Sequence, residues 1–349
     1  MRQQWPRVSQ ALPGSALIRC QPEDFRVSEQ LGFELSGQGE HCFLHLQKRQ
    51  LNSLDLQRRV SDLSGVGLRD IGYSGLKDRN AVTRQWFSVG MAGAVEPDWS
   101  ALEAGGDVEV LAVARHTRKL RRGVHRANRF TLVLRNVTGE PAALEQRLQA
   151  LRASGAPNYF GEQRFGRDGS TLEQARRWMR GGRRISREKR GLYYSALRAY
   201  VFNCFLAQRV EEGDWDTVLP GDVCILHGTR SLFSCEEVTD DIRTRAAAGD
   251  LHPGLPLWGR GQSGALCQQR LEQLPECVDI CEFLEASGLE LAWRPARLLA
   301  DDFCWEFCDD GTLRLEFSLG AGCYATALLA EFVQYKEGYR ESGISSEQD

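Results

Sequence analysis

Two stretches with a similar strand and helix pattern flank a middle region of different character. Residues 41–47 alternate as a strand does, and residues 52–65 combine an asparagine cap, apolar residues at helical spacing and a closing glycine. Glycines and arginines become more frequent across residues 155–299, and an alternating strand returns at residues 313–319. This order predicts a mixed α/β fold of two domains, one inserted into the other.

Other periodic segments predict further elements. The length of 349 residues also favours two domains with separate cores. We predict strands at residues 86–89, 130–137 and 223–226, a helix through residues 144–151 that ends at Gly155, and a helix at residues 326–335.

The first twenty residues carry neither an export signal nor a membrane span. Arg2, Pro6, Arg7 and Pro13 leave no uninterrupted apolar run in this segment. The pattern predicts a protein that stays in the cytoplasm.

Eleven cysteines raise the question of disulfides or a metal site. Reduced thiols are expected in a cytoplasmic chain of this length, so we predict no structural disulfide. Four cysteines form two pairs at i,i+4 that resemble zinc ligands: Cys277, Cys281, Cys304 and Cys308. The first pair begins an apolar helical stretch rather than the tight turn of a zinc knuckle. We interpret all four as buried free thiols and predict no metal site.

Positive charge is concentrated in two arginine-rich runs, although the net charge is −3. No acidic residue lies between Glu109 and Glu140, and Glu188 is the only one between Arg176 and Arg209. Each run alone is as often solvated surface as a phosphate-binding track. Together they favour a polyanionic partner, RNA or DNA. The residues that we predict to contact an RNA backbone are Arg118, Lys119, Arg121, Arg122, Arg183 and Arg184.

Residues 259–264 match the glycine pattern of dinucleotide-binding loops. That motif follows a buried strand, whereas Pro253 and Pro256 interrupt the preceding segment. We therefore predict a flexible loop here and no nucleotide cofactor.

Residues 157–173 combine aromatic residues, glycines and arginines ahead of a helix. Ser170 and Glu173 fit a capping box, which predicts exposed backbone amides at the helix N-terminus near Arg164 and Arg167. These groups suit a phosphate. An aromatic hinge that packs two domains together fits the segment equally well.

Residues 72–89 place one carboxylate, Asp78, between Lys77 and Arg79 and ahead of a strand. On chemistry alone, a single aspartate in such a turn is more often structural than catalytic.

A resemblance to a known family changes the weight given to Asp78. Residues 75–86, Gly-Leu-Lys-Asp-Arg-Asn-Ala-Val-Thr-Arg-Gln-Trp, closely resemble the signature of the tRNA pseudouridine synthase D (TruD) family, whose catalytic aspartate follows the lysine. Other blocks resemble the family in the same order, so the resemblance covers nearly the whole chain. They are residues 22–27 with 32–33 and 39–41, residues 118–123 with 128–130, residues 157–166 and residues 321–326.

The resemblance implies a V-shaped, two-domain α/β (α+β mixed sheet) fold. Residues 1–154 and 300–349 would form the pseudouridine synthase catalytic domain, and residues 155–299 an inserted α/β TRUD domain, with RNA bound in the cleft between them. It also implies isomerisation of uridine to pseudouridine in tRNA, at position 13 of the D arm, without a cofactor. We expect tRNA as the partner, no membrane, no protein partner and a monomer.

The resemblance also suggests roles for individual residues. Asp78 would be the catalytic carboxylate, and Lys77 would supply compensating positive charge. Phe25 and Tyr324 match substrate-contacting aromatic positions, and Asn128 matches a base-contacting amide. Two departures matter. The aromatic residue at position 324 is commonly Phe in the family, and the residues at positions 79 and 80, Arg and Asn here, often differ in relatives, so we give these two no catalytic role.

Two other classes of protein fit the same residues. A non-catalytic RNA-binding protein on this scaffold would bind tightly without turnover. A base-flipping glycosylase, or another carboxylate enzyme, would leave an abasic product. The intact Lys77-Asp78 pair favours the isomerase.

Overall fold

The computed structural model describes residues 4–9, 11–182, 184–229 and 231–338. Within them the chain forms two compact units. The strand-rich unit comprises the described residues within 14–141, 300–322 and 333–338, and the helical unit comprises those within 4–13, 142–299 and 323–332. Each unit is therefore assembled from three separate pieces of chain.

Strands and helices are numbered along the whole chain. The strand-rich unit contains β1 (Gly14–Ile18), β2 (Phe25–Gln30), β3 (His41–Arg49), α1 (Ser53–Ser64), β4 (Ile71–Tyr73), β5 (Val82–Gly90), β6 (Val108–His116), β7 (Ala127–Gly139), β14 (Asp301–Phe307), β15 (Leu313–Gly320) and β16 (Gln334–Glu337). The helical unit contains α2 (Pro141–Ser154), β8 (Ala156–Pro157), α3 (Ser170–Met179), α4 (Arg187–Glu212), β9 (Val223–Leu226), β10 (Leu232–Ser234), α5 (Asp240–Ala247), β11 (Leu251–Leu257), α6 (Ala265–Glu272), α7 (Pro275–Ala286), β12 (Ala292–Pro295), β13 (Arg297–Leu298) and α8 (Ala325–Ala330). The first residue of α2, Pro141, is counted with the strand-rich unit.

One mixed sheet organises the strand-rich unit. Its strand order is β14-β15-β7-β2-β5-β3-β6, with β4 beside β5 and β1 between β7 and β16. β2 pairs with β5, and β1 with β16, in parallel, whereas the other pairs are antiparallel. The mixed α/β, two-domain fold class is confirmed.

Alternation along β3 determines which face of this sheet is covered. Cys42, Leu44 and Leu46 are fully buried and share a core with Leu56 and Val60 of α1. That helix is closed by a glycine in the left-handed conformation at residue 65 (φ 70°), as predicted, but the side chain of Asn52 before it makes no capping hydrogen bond. Lys48 follows Leu46 on the same face of the strand, where it is also fully buried.

The long helix α4 forms the centre of the helical unit. Ser186 caps its N-terminus by accepting a hydrogen bond from the backbone of Lys189, and Gly213 ends it in the left-handed conformation. Almost every residue from position 196 to position 210 is buried, so this half of the helix lies within the core. The antiparallel sheet β10-β9-β11-β12 belongs to the same unit.

The prediction that the segment before the glycine motif cannot be a buried strand was wrong. β11 contains Pro253 and Pro256, lies between β9 and β12, and is buried along most of its length. The Pro253 carbonyl still accepts a hydrogen bond from the amide of Ala296, so a residue without an N–H keeps a cross-strand contact. Both neighbours of β11 are antiparallel, whereas a dinucleotide-binding loop belongs to a parallel βαβ unit.

The helix predicted at residues 326–335 was too long. α8 ends at Ala330, and the chain then forms β16, which pairs in parallel with β1 from Ser15↔Gln334 to Ile18↔Glu337. Pairing with a distant strand overrides the local helical pattern. Among the described residues, no helix combines the length and apolar character needed to cross a membrane.

Candidate active site

The carboxylate of Asp78 lies in the loop between β4 and β5 and is held by an arginine that the sequence did not point to. Nη2 of Arg19 donates to Oδ2 of Asp78 at 2.8 Å, and Nη1 donates to Oε1 of Glu337 at 2.8 Å. The side chain of Arg19 is 5% exposed and that of Asp78 is 34% exposed. This charge-assisted hydrogen bond fixes the orientation of a carboxylate that solvent can still reach.

A second cation holds the backbone of the same residue. Nζ of Lys48, on β3, donates to the carbonyl oxygens of Asp78 at 2.8 Å and Leu51 at 2.6 Å. Burial lowers the pKa of the Lys48 ammonium to about 8, although the nearby Asp78 charge opposes the shift. Asp78 is thus held through its side chain and through its backbone.

Lys77 points its charge at a different carboxylate. Its Nζ lies 2.7 Å from Oε2 of Glu29, and both side chains are almost completely buried. The other carboxylate oxygen of Glu29 accepts a hydrogen bond from the backbone of Trp86 at 3.2 Å. The compensating charge that we expected Lys77 to give Asp78 comes, at hydrogen-bond distance, from Arg19.

Phe25 opens β2 and is 2% exposed. The guanidinium carbon of Arg19 lies 4.0 Å from the centre of its ring, and the ring of Phe130 meets it edge-on at 6.1 Å. Arg19 therefore connects the aromatic ring and the carboxylate that the resemblance assigns to the same site.

Asn128 lies at the start of β7 and is 9% exposed. Its Nδ2 lies 3.2 Å from Nε2 of His125, which is also buried. Among the described residues, Oδ1 of Asn128 and Nδ1 of His125 have no hydrogen-bond partner.

Tyr324 belongs to the helical unit, whereas Phe25, Lys77, Asp78 and Asn128 all belong to the strand-rich unit. Its hydroxyl accepts a hydrogen bond from Nη2 of Arg164 at 2.7 Å, and its ring meets Phe160 edge-on at 6.1 Å. Arg164 also donates to Oγ of Ser195 at 2.9 Å. The tyrosine hydroxyl thus has a protein partner.

The residues predicted to contact the RNA backbone differ in whether their side chains already bind other groups of the protein. Arg118 and Arg121 are exposed in the loop between β6 and β7. In the same loop, Lys119 donates to the carbonyl of Arg69, and Arg122 donates to the hydroxyl of Tyr73 at 2.7 Å. Arg184 is exposed just before α4, and Arg183 lies outside the described residues.

The segment at residues 157–173 belongs to the helical unit. Tyr159, Phe160 and Phe165 are core residues. The predicted capping box at Ser170 is wrong, because α3 is preceded by Gly169 without a side-chain cap. The amides of residues 171 and 172 donate to the Phe165 carbonyl, so they are not the exposed anion-binding donors that we predicted.

The interpretation of four buried thiols was half wrong. Cys277 and Cys281 are buried in α7, where burial raises the pKa of the Cys281 thiol, but Cys304 is exposed and Cys308 half-buried. The first pair belongs to the helical unit and the second to the strand-rich unit. The described residues contain no cluster of three or more side chains suited to hold a metal ion.

Sequence reasoning missed Arg19, Lys48, Glu29 and His125. For Lys48 a signal was present, because the charge stands in register with Leu44 and Leu46 on the apolar face of a predicted strand. Arg19 lies 59 positions before Asp78, and no local pattern connects the two.

Comparisons with known proteins show which family the chain resembles. The sequence model of the family described as tRNA pseudouridine synthase D (TruD) matches residues 8–173 and 169–332. The tRNA pseudouridine synthase D of Methylococcus capsulatus is 45% identical over 95% of this chain and 94% of its own length. That of Nitrosococcus oceani is 44% identical over 93% of this chain and 92% of its own length.

A solved structure supports the fold. The crystal structure assigned to tRNA pseudouridine synthase D of Methanosarcina mazei superposes with a TM-score of 0.69 at 20% identity, covering 96% of this chain and 97% of that one. At that identity the likeness shows the fold alone, which is mixed α/β. The family match and the close relatives go further: the chain belongs to the tRNA pseudouridine synthase D family.

Proposed function

We propose that this protein isomerises uridine to pseudouridine in tRNA, at position 13 of the D arm, with Asp78 as the catalytic carboxylate. The observation that carries the proposal is a solvent-accessible carboxylate in the family signature, held by Arg19 and, through its backbone, by Lys48. The relatives that match the chain over nearly its whole length are named tRNA pseudouridine synthase D.

The reaction explains why one carboxylate is sufficient. The bond from C1′ of the ribose to N1 of uracil breaks, the base turns, and C1′ joins C5. The hydrogen of C5 leaves as a proton, and N1 takes up a proton. A carboxylate beside the ribose can attack C1′ as a nucleophile or remove the proton from C2′. In either route Asp78 is regenerated, and the substrate and product have the same mass.

Uridine in folded RNA is reached only after it leaves the base stack. We assign Phe25 and Tyr324 to contacts with the extruded nucleotide and Asn128 to the edge of the base, because an amide can both donate and accept. The Arg19 guanidinium that now covers Phe25 has to move aside, or share the ring, when the base stacks there. Lys77 supports this site through its ion pair with Glu29.

Arginines outside the pocket would bind the RNA backbone. Arg118, Arg121, Arg122 and Arg184 are exposed members of the predicted set, which Lys119 and Arg183 complete. Phosphate contacts of this kind position an RNA without reading its sequence. We assign catalysis to residues 1–154 and 300–349, and the inserted TRUD domain to residues 155–299.

The test is Asp78→Asn, which keeps the size and polarity of the side chain. The natural tRNA substrate labelled with tritium at C5 of uridine should release one tritium per turnover. We expect release to fall more than about 100-fold while the tRNA dissociation constant stays within a few-fold of wild type. Asp55→Asn is the matched control, since that aspartate is 42% exposed and pairs with Arg58 on α1.

Each outcome separates the candidate functions. Appreciable tritium release by Asp78→Asn would reject the catalytic role of this residue. Wild-type protein that binds tRNA tightly without release would instead be a non-catalytic binding protein. An abasic product would indicate a glycosylase.

A further inference from the structure

His125 and Asn128 form a buried polar pair, of which the proposed function uses only Asn128. His125 is 8% exposed and Asn128 is 9% exposed. One hydrogen bond joins Nδ2 of Asn128 and Nε2 of His125, at 3.2 Å. Among the described residues, the outer atom of each side chain, Oδ1 of Asn128 and Nδ1 of His125, has no partner. A buried polar atom without a partner costs free energy, so something else has to satisfy it.

The surroundings of His125 favour its neutral ring. Burial lowers its pKa, the Lys77 ammonium lowers the pKa further, and the Glu29 carboxylate opposes both effects. A neutral imidazole carries a lone pair on one nitrogen and a proton on the other. With the lone pair on Nε2, it accepts a hydrogen bond from the amide nitrogen of Asn128.

That hydrogen bond decides what Asn128 offers to a ligand. An amide held through its nitrogen leaves its oxygen as the free acceptor. The Watson–Crick edge of uracil carries a donor at N3, whereas cytosine has an acceptor at the same position. A fixed acceptor therefore suits uracil and repels cytosine.

We propose that His125 is the positioning residue that orients the Asn128 amide, so that Oδ1 accepts the N3–H of the extruded uracil. The inference rests on the proposed function. Without His125 the amide can turn over and present its NH2 group, which meets the uracil N3–H donor to donor. The base is then held less firmly while it rotates, after the C1′–N1 bond has broken and before C5 bonds to C1′. The chemical step therefore slows.

A double-mutant cycle tests this pairing. The variants are His125→Leu, Asn128→Ala and the double variant, with tritium release measured under single-turnover conditions at saturating enzyme. We expect His125→Leu to slow release about 10-fold, the scale of one mispaired hydrogen bond. In the Asn128→Ala background the same change should have no further effect, because His125 acts through Asn128.

Two more variants separate positioning from folding. His125→Gln retains an acceptor and should recover most of the wild-type rate. His125→Phe keeps a planar ring without an acceptor and should resemble His125→Leu, so it serves if the leucine variant does not fold. The urea midpoint of each variant identifies any loss of rate that comes from unfolding.

The possible results are distinct. A wild-type rate in both acceptor-free variants, or equal effects of His125→Leu with and without Asn128, would overturn the inference and leave the proposed function intact. Absence of tritium release from the wild-type enzyme would overturn the proposed function and this inference with it.

Discussion

The hydroxyl of Tyr324 is the residue-scale feature in which we expect this chain to differ from its family. It accepts a hydrogen bond from Arg164, which keeps a second acceptor in Ser195. A hydroxyl already paired in this way has a structural use that requires no role in the reaction. The ring, in contrast, is the part that the family resemblance assigns to the substrate.

Tyr324→Phe should therefore be nearly silent in tritium release and lower the free energy of unfolding by about 1 kcal/mol, the usual contribution of one hydrogen bond. Tyr324→Leu removes the ring and should lose about 1–3 kcal/mol of stacking free energy, which should appear mainly as slower turnover. Tyr193→Phe is the matched control, because its hydroxyl donates to Gln174 within the same unit. A large turnover defect in Tyr324→Phe, with unchanged stability, would mean that the hydroxyl takes part in the chemistry.

Individual residues were predictable where a contiguous motif carried them. Asp78 and Lys77 lie in one continuous signature, so the sequence located the loop. The partners of this loop were not predictable, because Arg19 reaches Asp78 across 59 positions and Lys77 reaches Glu29 across 48. Only the folded chain brings such residues beside each other.

At the scale of elements, Lys48 ties the Asp78 loop to β3 and β5. Its ammonium is fully buried and bonded to two carbonyl oxygens. Burying a cation whose hydrogen-bond acceptors are neutral costs free energy, and this cost lowers the pKa of Lys48. A neutral amine can still donate to both carbonyls, so the loop keeps its hydrogen bonds after the proton leaves.

The stability contributed by Lys48 should consequently rise with pH. Between about 8, its folded pKa, and 10.5, its ordinary value, the unfolded chain binds the proton that the folded protein has lost. Stability increases with pH wherever the unfolded state binds more protons. In urea unfolding, the free energy of unfolding of wild type minus that of Lys48→Met should increase with pH across this window. Lys336→Met, an exposed control on β16, should show no such trend. A constant difference would contradict the argument.

Elements were predictable where one local pattern determined them. The strand β9 and the helix α1 were confirmed because apolar residues and burial agree there, although the side chain of Asn52 makes no capping hydrogen bond. β11 and β16 were missed because pairing with distant strands decides their structure. A proline rule and a helical period, applied locally, cannot anticipate such pairing.

At the scale of the whole molecule, the arrangement of charge matters more than its sum. The net charge of −3 would not attract an RNA. Many arginines of the two runs are also engaged within the protein. Arg198 donates to two backbone carbonyls, and Arg176 and Arg180 each lie 3.7 Å from Asp279. Arg118 and Arg121 are different, because both are exposed and neither forms an ion pair with another residue that the structure describes.

This difference predicts how salt affects binding. Each phosphate contact releases condensed counterions, so losing one should lower the slope of log affinity against log salt by about 0.7–0.9. Changing Arg118 and Arg121 to Gln should therefore reduce the slope by about 1.4–1.8 if each contacts one phosphate.

The control changes Arg58 and Arg243 to Gln. It removes the same charge from exposed arginines that already pair with aspartates three positions earlier, and should leave the slope unchanged. Equal slopes in all three proteins would mean that the loop between β6 and β7 is ordinary solvated surface. Equal losses in both variants would mean that total charge, rather than its placement, attracts the RNA.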